Sequence, residues 1–413
     1  MDGVRLRMAL CAALVLSSLV SSVAPALARP PSPSGDGVPG DAAQSINVFA
    51  LRAAARVGAS SDADFFLSPW SVVTALGMTY AGARGETASE MERALLFSPE
   101  IHASLGTLVG ELTRELDGKD GRPALTSANR VWVREGLGLL PAFTEILGRD
   151  YASEVAQVDF AGDPGGAREA INGWVEDHTN GRIRDLLRDV RPDTRMILTN
   201  AVWYKGRWRY PFSARRTAPE PFHVTEAETK DVPMMRQFHE LSYGELGGVE
   251  LLRLPYAGRL SMFLALPGQG AMEGTLAALA EDPALFDRWR GALRPHRVDV
   301  RLPKFKLERR YEMAELLGAL GVRLAFGDGA DFSGMTTDEP LKIDSVIHQT
   351  FIDVSEEETE AAAATAITMV KATAAPQREE LPWAEFHADR PFLHFIVDEP
   401  TGTILFMGRQ GFR

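Results

Sequence analysis

Residues 355–373 read SEEETEAAAATAITMVKAT. Local rules make this segment a helix. Ser355 and Glu358 form an S-x-x-E capping box, Glu356 and Glu357 put negative charge in the first turn, and Ala361 to Ala364 are the strongest helix formers available. The apolar residues nevertheless make no helical stripe that a neighbouring element would cover. Four consecutive alanines with so little to bury call for another use.

Working outward, FIDV at 351–354 is strand-like and runs straight into this segment. MILTNAVWYKGRW, from Met196, has no polar alternation until Lys205, the pattern of a strand covered on both faces. VDVRLPKFKL alternates, with Val298, Val300 and Leu302 on one side and Asp299 and Arg301 on the other. RPFLHFIVDEPTGTILFMGR predicts a hairpin turning at Pro400-Thr401-Gly402. Helical periodicity is concentrated earlier, over 41–57, after Ser68-Pro69, and over 86–96, 101–116 and 166–180. ALTSANRVWVRE lies among these as a strand. Helices dominate the first half and strands the second, without β-α-β alternation, which predicts an α+β architecture in one large domain.

The amino terminus is expected to lie outside that domain. Arg5 and Arg7 precede an apolar run from Met8 to Val23, and Ala26-Leu27-Ala28 is an A-x-A site, so residues 1–28 are expected to be a secretory signal cleaved after Ala28. A transmembrane anchor is the alternative, but the run is short for a span of about 20 residues and passes into a Pro/Ser/Gly linker over 29–44. The single domain then covers 45–413. The one cysteine, Cys11, lies within the signal, leaving no disulfide, thiolate metal site or cysteine nucleophile in the mature chain. A net charge of −12 disfavours nucleic acid or an anionic membrane as partner.

Signals of chemistry are scarce. The eight histidines show neither an H-E-x-x-H pattern nor ligand spacing to a carboxylate cluster. There is no G-x-S-x-G elbow and no phosphate-binding loop. Glu356, Glu357 and Glu358 lack the spaced ligands of a calcium loop. No serine stands out as the nucleophile of a hydrolase. Neither a cofactor nor a metal is expected.

Eight stretches carry a resemblance, and they occur in a family's order: FFLSPWSVVTALGMTYAGARGETASEM, LTSANRVWV, INGWVEDHTNGRIRDLL, ILTNAVWYKGRW, LPKFKLE, ADFSGMT, IHQTFIDVSEEETEAAAATA and ADRPFLHFIVDEPTGTILFMGR. From about Asn47 to Gln410 the chain resembles the serpins. The resemblance implies three β-sheets, about nine helices and an exposed reactive-centre loop in a metastable fold. It also implies a protease inhibitor and suicide substrate, whose cleaved loop enters the central sheet and traps the acyl-enzyme; the leader would make it secreted, extracellular or periplasmic. A non-inhibitory serpin acting as a binding or chaperone-like module is the alternative.

On that resemblance the hinge is Glu356, Glu357, Glu358, Thr359, Glu360, Ala361, Ala362, Ala363, Ala364 and Thr365. The segment meets the demands of a central strand: no proline occurs before Pro376. Period two turns Thr359, Ala361, Ala363, Thr365, Ile367 and Met369 inward, small residues first, as sliding between packed strands requires. At Glu358 the family usually has glycine, whose freedom would ease entering the sheet. Counting from Thr359 places the reactive bond at Ala372-Thr373, with Lys371 as the alternative. Alanine suits an elastase-like protease and lysine a trypsin-like one; subtilisin-like and cysteine proteases are further candidates. Ser68, Ser71, Asn200 and His348 match a polar cluster beneath the central sheet, and Trp208 matches a tryptophan where the loop meets it. Residues 101–116 set Glu111, Glu115 and Asp117 against Arg114, so no glycosaminoglycan is expected. The protein is expected to act as a monomer.

Overall fold

Ser68 shows how short stretches of this sequence fold. Its side chain accepts a hydrogen bond from the Ser71 amide and caps a helix whose first residue is Pro69, so one orphan donor is satisfied and the proline loses nothing. That helix is apolar on every side and buried from Pro69 to Thr79. The computed structural model describes residues 39–60, 63–118, 124–356 and 380–413. Among these are nine α-helices: α1 (Pro39–Ser60), α2 (Pro69–Tyr80), α3 (Gly85–Leu95), α4 (Ile101–Glu115), α5 (Pro141–Tyr151), α6 (Pro164–His178), α7 (Met272–Glu281), α8 (Ala284–Ala292) and α9 (Ala314–Ala319).

Fourteen strands accompany them. The first seven are β1 (Phe65–Leu67), β2 (Ala124–Arg134), β3 (Val155–Val158), β4 (Met196–Lys205), β5 (Ala218–His223), β6 (Thr229–Leu246) and β7 (Val249–Pro255). The remainder are β8 (Leu260–Pro267), β9 (Arg294–Pro303), β10 (Phe305–Glu312), β11 (Ser345–Val354), β12 (Trp383–His387), β13 (Phe392–Asp398) and β14 (Thr403–Gln410). Hydrogen bonding links them into a five-stranded sheet, β10-β11-β4-β2-β3, and a nine-stranded one, β1-β14-β13-β8-β7-β6-β9-β12 with β5 on β6. Three sheets were expected. The 18-residue β6 explains the difference, pairing with β5 and β9 along one part and with β7 at its end, which joins two of them.

The five-stranded sheet is covered on both faces. Alternate residues of β4, Leu198 and Val202, enter the main core beside α2. Ile197 and Ala201 enter a smaller core with Trp132, Ile347 and residues Ile171 and Val175 of α6. That double cover is why nine of the ten β4 residues are buried.

The stretch VDVRLPKFKL does not stay in one strand. β9 ends at Pro303 and β10 begins at Phe305 in the other sheet, so Lys304 marks a crossing between sheets. The β13–β14 hairpin forms as its sequence predicts. Gly402 takes φ +74°, and the buried Asp398 accepts from the Thr401 hydroxyl at 2.6 Å and pairs with Arg259. Glycine is needed at the turn because that backbone conformation is strained for other residues. No helix among the described residues is long and apolar enough to cross a membrane.

Candidate functional site

The centre of the five-stranded sheet is a parallel pair. β11 lies directly against β4 in a register running from Ser345 opposite Ile197 to Phe351 opposite Trp203. Each also has an antiparallel partner on its outer side, β10 for β11 and β2 for β4. A chain that turned back after Val354 would run antiparallel to β11, and therefore antiparallel to β4 as well. Between β4 and β11 the segment following β11 therefore has the same, antiparallel polarity toward both neighbours, which the β10–β11 and β4–β2 gaps do not offer.

Halfway along the seam sits a buried polar network. His348 and Asn200 are register partners across it and have no exposed surface. The Ser68 amide donates to His348 Nε2 at 3.0 Å, so the ring proton is on Nδ1, which donates to Asn200 Oδ1. The Asn200 amide donates in turn to Ser71 Oγ at 2.7 Å and to Asn129 Oδ1 at 2.8 Å. The Ser68 hydroxyl donates to the Leu405 carbonyl at 2.8 Å. Five elements are tied together here: α2 with its cap, β2, β4, β11 and β14. Burial pushes the His348 imidazole down to about 3, so it is neutral in the fold and serves as a hydrogen-bond relay.

At the far end of the seam the chain leaves β11. The Trp208 indole N–H donates to the Ser355 carbonyl at 2.9 Å, and the Phe212 amide donates to the Glu356 carbonyl at 3.1 Å. Trp208 stacks on Tyr256 with centroids 4.4 Å apart. The Glu356 carboxylate meets the Lys304 ammonium at 2.8 Å. Burial opposes its ionisation, but hydrogen bonds from Lys304 and its own backbone amide outweigh that, and its pKa lies below the ordinary value. A recess of about 10 Å³ lies behind Val354 and Ser355, room for roughly one water. A wider cleft of about 340 Å³, lined by Thr225, Met272, Arg390 and Arg413 among others, lies away from the seam.

A seam closed by backbone pairing, relayed through buried polar groups and followed at once by an alanine-rich segment, agrees with the family comparison. The model of one family, described as serpin (serine protease inhibitor), matches residues 44–410.

The chain belongs to the serpin family.

It is 42% identical over 357 residues to an uncharacterized serpin-like protein of Thermococcus kodakarensis, covering 85% of this chain and 81% of that one. Leukocyte elastase inhibitor of Bos taurus is 38% identical over 358 residues, covering 84% of this chain and 92% of that protein. The solved structure of human thyroxine-binding globulin matches with a TM-score of 0.78 at 27% identity, over 90% of this serpin and 98% of that chain.

In this serpin the residues expected from sequence fall in two places. Ser68, Ser71, Asn200 and His348 meet in one network. Trp208 does not join them; it sits at the mouth of the seam beside Ser355, seven residues past His348 and about 23 Å along an extended strand. Glu356 lies next to it. The remaining hinge residues, Glu357 to Thr365, lie outside the described residues, as do Lys371, Ala372 and Thr373. Asn129 was not anticipated, although it bonds both Ser71 and Asn200. Nothing local marks it: LTSANRVWV holds Thr126, Ser127 and Arg130 as well, and only the fold decides which of these polar side chains is bonded across to Asn200.

Proposed function

We propose that this serpin is a secreted inhibitor of serine proteases that acts as a suicide substrate. A leader to Ala28 and a linker to residue 44 would precede the single inhibitory domain. The protease's serine would attack the carbonyl of Ala372 (Lys371 being the alternative), form an ester there and release a new amino terminus at Thr373. The freed segment, led by Thr359 and the alanines, would enter between β4 and β11 and carry the ester-linked protease with it. Each backbone hydrogen bond gained nets about 0.5–1.5 kcal/mol, and Ile367 and Met369 would add about 1.5–3 kcal/mol each on burial. Insertion must part the His348–Asn200 contact, which places the neutral relay where it can hold the seam closed beforehand.

The observation that carries this reading is the parallel β4–β11 pair whose second strand runs directly into a proline-free, alanine-rich segment. Leukocyte elastase inhibitor, 38% identical, supports protease inhibition as the activity. To test it, the protein is mixed with elastase, trypsin and subtilisin, and the products are boiled in detergent and separated by size. A covalent band of summed mass is expected, with a released peptide beginning at Thr373 by mass spectrometry. Nicking the loop should raise the melting temperature. Clean cleavage with no covalent band and no thermal shift would instead identify a non-inhibitory binding module, with Glu358 in the glycine's place as the first residue to exchange.

A further inference from the structure

The outward face of β6, β9 and β12 carries an aromatic cluster that nothing in the seam uses. Period two sends Val298, Val300, Ala384 and Phe386 inward and turns Arg297, Asp299, Arg301, Trp383 and Phe238 to solvent. Trp383 is 60% exposed and Phe238 36%, two of the largest apolar side chains left in water. Their rings stack across β9 with centroids 5.0 Å apart, and the Arg297 guanidinium lies 5.3 Å over the Phe238 ring. The far end of the same face is electrically closed: Arg236 and Arg301 both pair with Glu220, and His387 pairs with Asp299. At the aromatic end, among the described residues, no carboxylate lies within ion-pair distance of Arg297. Exposed Glu240, the register partner of Arg297 across β6 and β9, and Glu385 on β12 flank it. A stacked Trp–Phe pair topped by an unpaired arginine is the composition of an interface centre, where Trp and Arg dominate binding energy.

We propose that this face is a second docking site for the target protease, one that recognises an apolar patch beside an acidic residue on the protease outside its active site. The proposal rests on the inhibitory reading above. Trp383 is ten residues beyond Thr373, and ten residues reach at most about 35 Å. A protease of some 230 residues is roughly 45 Å across. An enzyme held at the reactive bond therefore has its surface within reach of β12, and among the described residues Trp383 is the exposed large hydrophobic side chain nearest in sequence to the point of attachment. The site acts on encounter: it holds the protease over the loop before acylation and has no part in insertion.

Saturation kinetics on the full-length protein separate these steps. With elastase, trypsin and subtilisin as probes, Trp383→Ala and Phe238→Ala should each weaken the encounter complex about tenfold for the protease that wild type traps best, the limiting trapping rate and the consumption per protease staying as in wild type. Arg297→Glu should give a comparable loss that shrinks with added salt. Phe238 lies two strands from β12, so its variant guards against a local effect of Trp383 on the loop. Encounter constants within twofold of wild type for all three variants overturn the proposal. So does a change confined to the limiting rate, which would make these residues supports of the loop. A dimer seen by light scattering, lost in Trp383→Ala with trapping unchanged, assigns the face to a second copy and overturns it as well. Absence of any covalent complex with the wild-type protein is a separate result, which removes the inhibitory reading and this site with it.

Discussion

Two histidines, one in each sheet, have no exposed surface, and burial pushes both down to about 3. Their surroundings differ completely. His348 has both ring nitrogens bonded, one to the Ser68 amide and one to Asn200. His394, on β13, has no hydrogen-bond partner on either nitrogen among the described residues. It is packed among rings, 5.6 Å from Phe66 and 5.2 Å from Phe305, and Gly408 leaves it room: a Cβ there would come within 2.5 Å of its Nε2. Equal burial with unequal bonding means that one imidazole holds strands together, while the other behaves as an aromatic ring with two unpaired polar atoms. The network at His348 also spans the seam that function would open; His394 belongs to the other sheet and makes no hydrogen bond across it.

The largest effect should come from breaking the bonded site. Asn200→Ala leaves the His348 N–H, Ser71 and Asn129 short of partners in a dry interior, so urea unfolding should show a loss of about 3–5 kcal/mol. A loss below about 1 kcal/mol would mean that water replaces the amide and that the two histidines are more alike than their geometry says.

Acid should act on both sites. Each ring is neutral in the fold down to about pH 3, whereas in the unfolded chain it gains a proton below about pH 6.5. The unfolded state then binds more protons than the folded one, and stability falls as pH drops through this window. Between pH 7 and pH 5 the loss should be about 2 kcal/mol per histidine, read from unfolding midpoints at each pH.

His394→Phe sharpens the comparison. It removes two unsatisfied atoms from an aromatic site, so stability at pH 7 should rise by about 1 kcal/mol and the loss between pH 7 and pH 5 should shrink by that histidine's share of about 2 kcal/mol. His348→Phe should shrink that loss by the same amount while lowering stability at pH 7, because the Ser68 amide and Asn200 lose their partner. Opposite signs at pH 7 are the result to look for.

The smallest effect belongs to the mouth of the seam. The Lys304 side chain is 44% exposed, so Lys304→Ala should change stability by no more than about 0.5 kcal/mol. The carboxyl of Glu356 should respond visibly, its titration by nuclear magnetic resonance rising toward the ordinary value once the ammonium is gone.

Much of the candidate site could be read directly. Ser68-Pro69 announces a capped helix, Pro400-Thr401-Gly402 a turn, and the matching motifs bring Ser68, Ser71, Asn200 and His348 to one place. Other parts could not. β11 begins at Ser345, six residues before FIDV, because a strand covered on both faces shows no alternation to mark its start. At Pro303-Lys304 the alternation slips phase, from Val298, Val300 and Leu302 to Phe305 and Leu307, but a slip alone does not say that the chain changes sheets there. Asn129 and His394 differ in nothing that a local pattern could register; one finds partners on α2 and β4 and the other finds none among the described residues. The Phe238–Trp383 stack joins strands far apart in the chain, and each residue alone would pass for ordinary core.

The amino-acid sequence by itself determined the local decisions: where helices are capped, where the hairpin turns, which residues after Val354 are small and free of proline, and which family the motifs spell. Those depend on a side chain and its near neighbours, through backbone torsion and short-range hydrogen bonds. Only the tertiary structure decided that β4 and β11 lie parallel and in contact, that one buried histidine is bonded and the other is not, and that an aromatic pair faces water. Each of these rests on groups some 145 or more residues apart, and their pairing is set by the packing of the whole core.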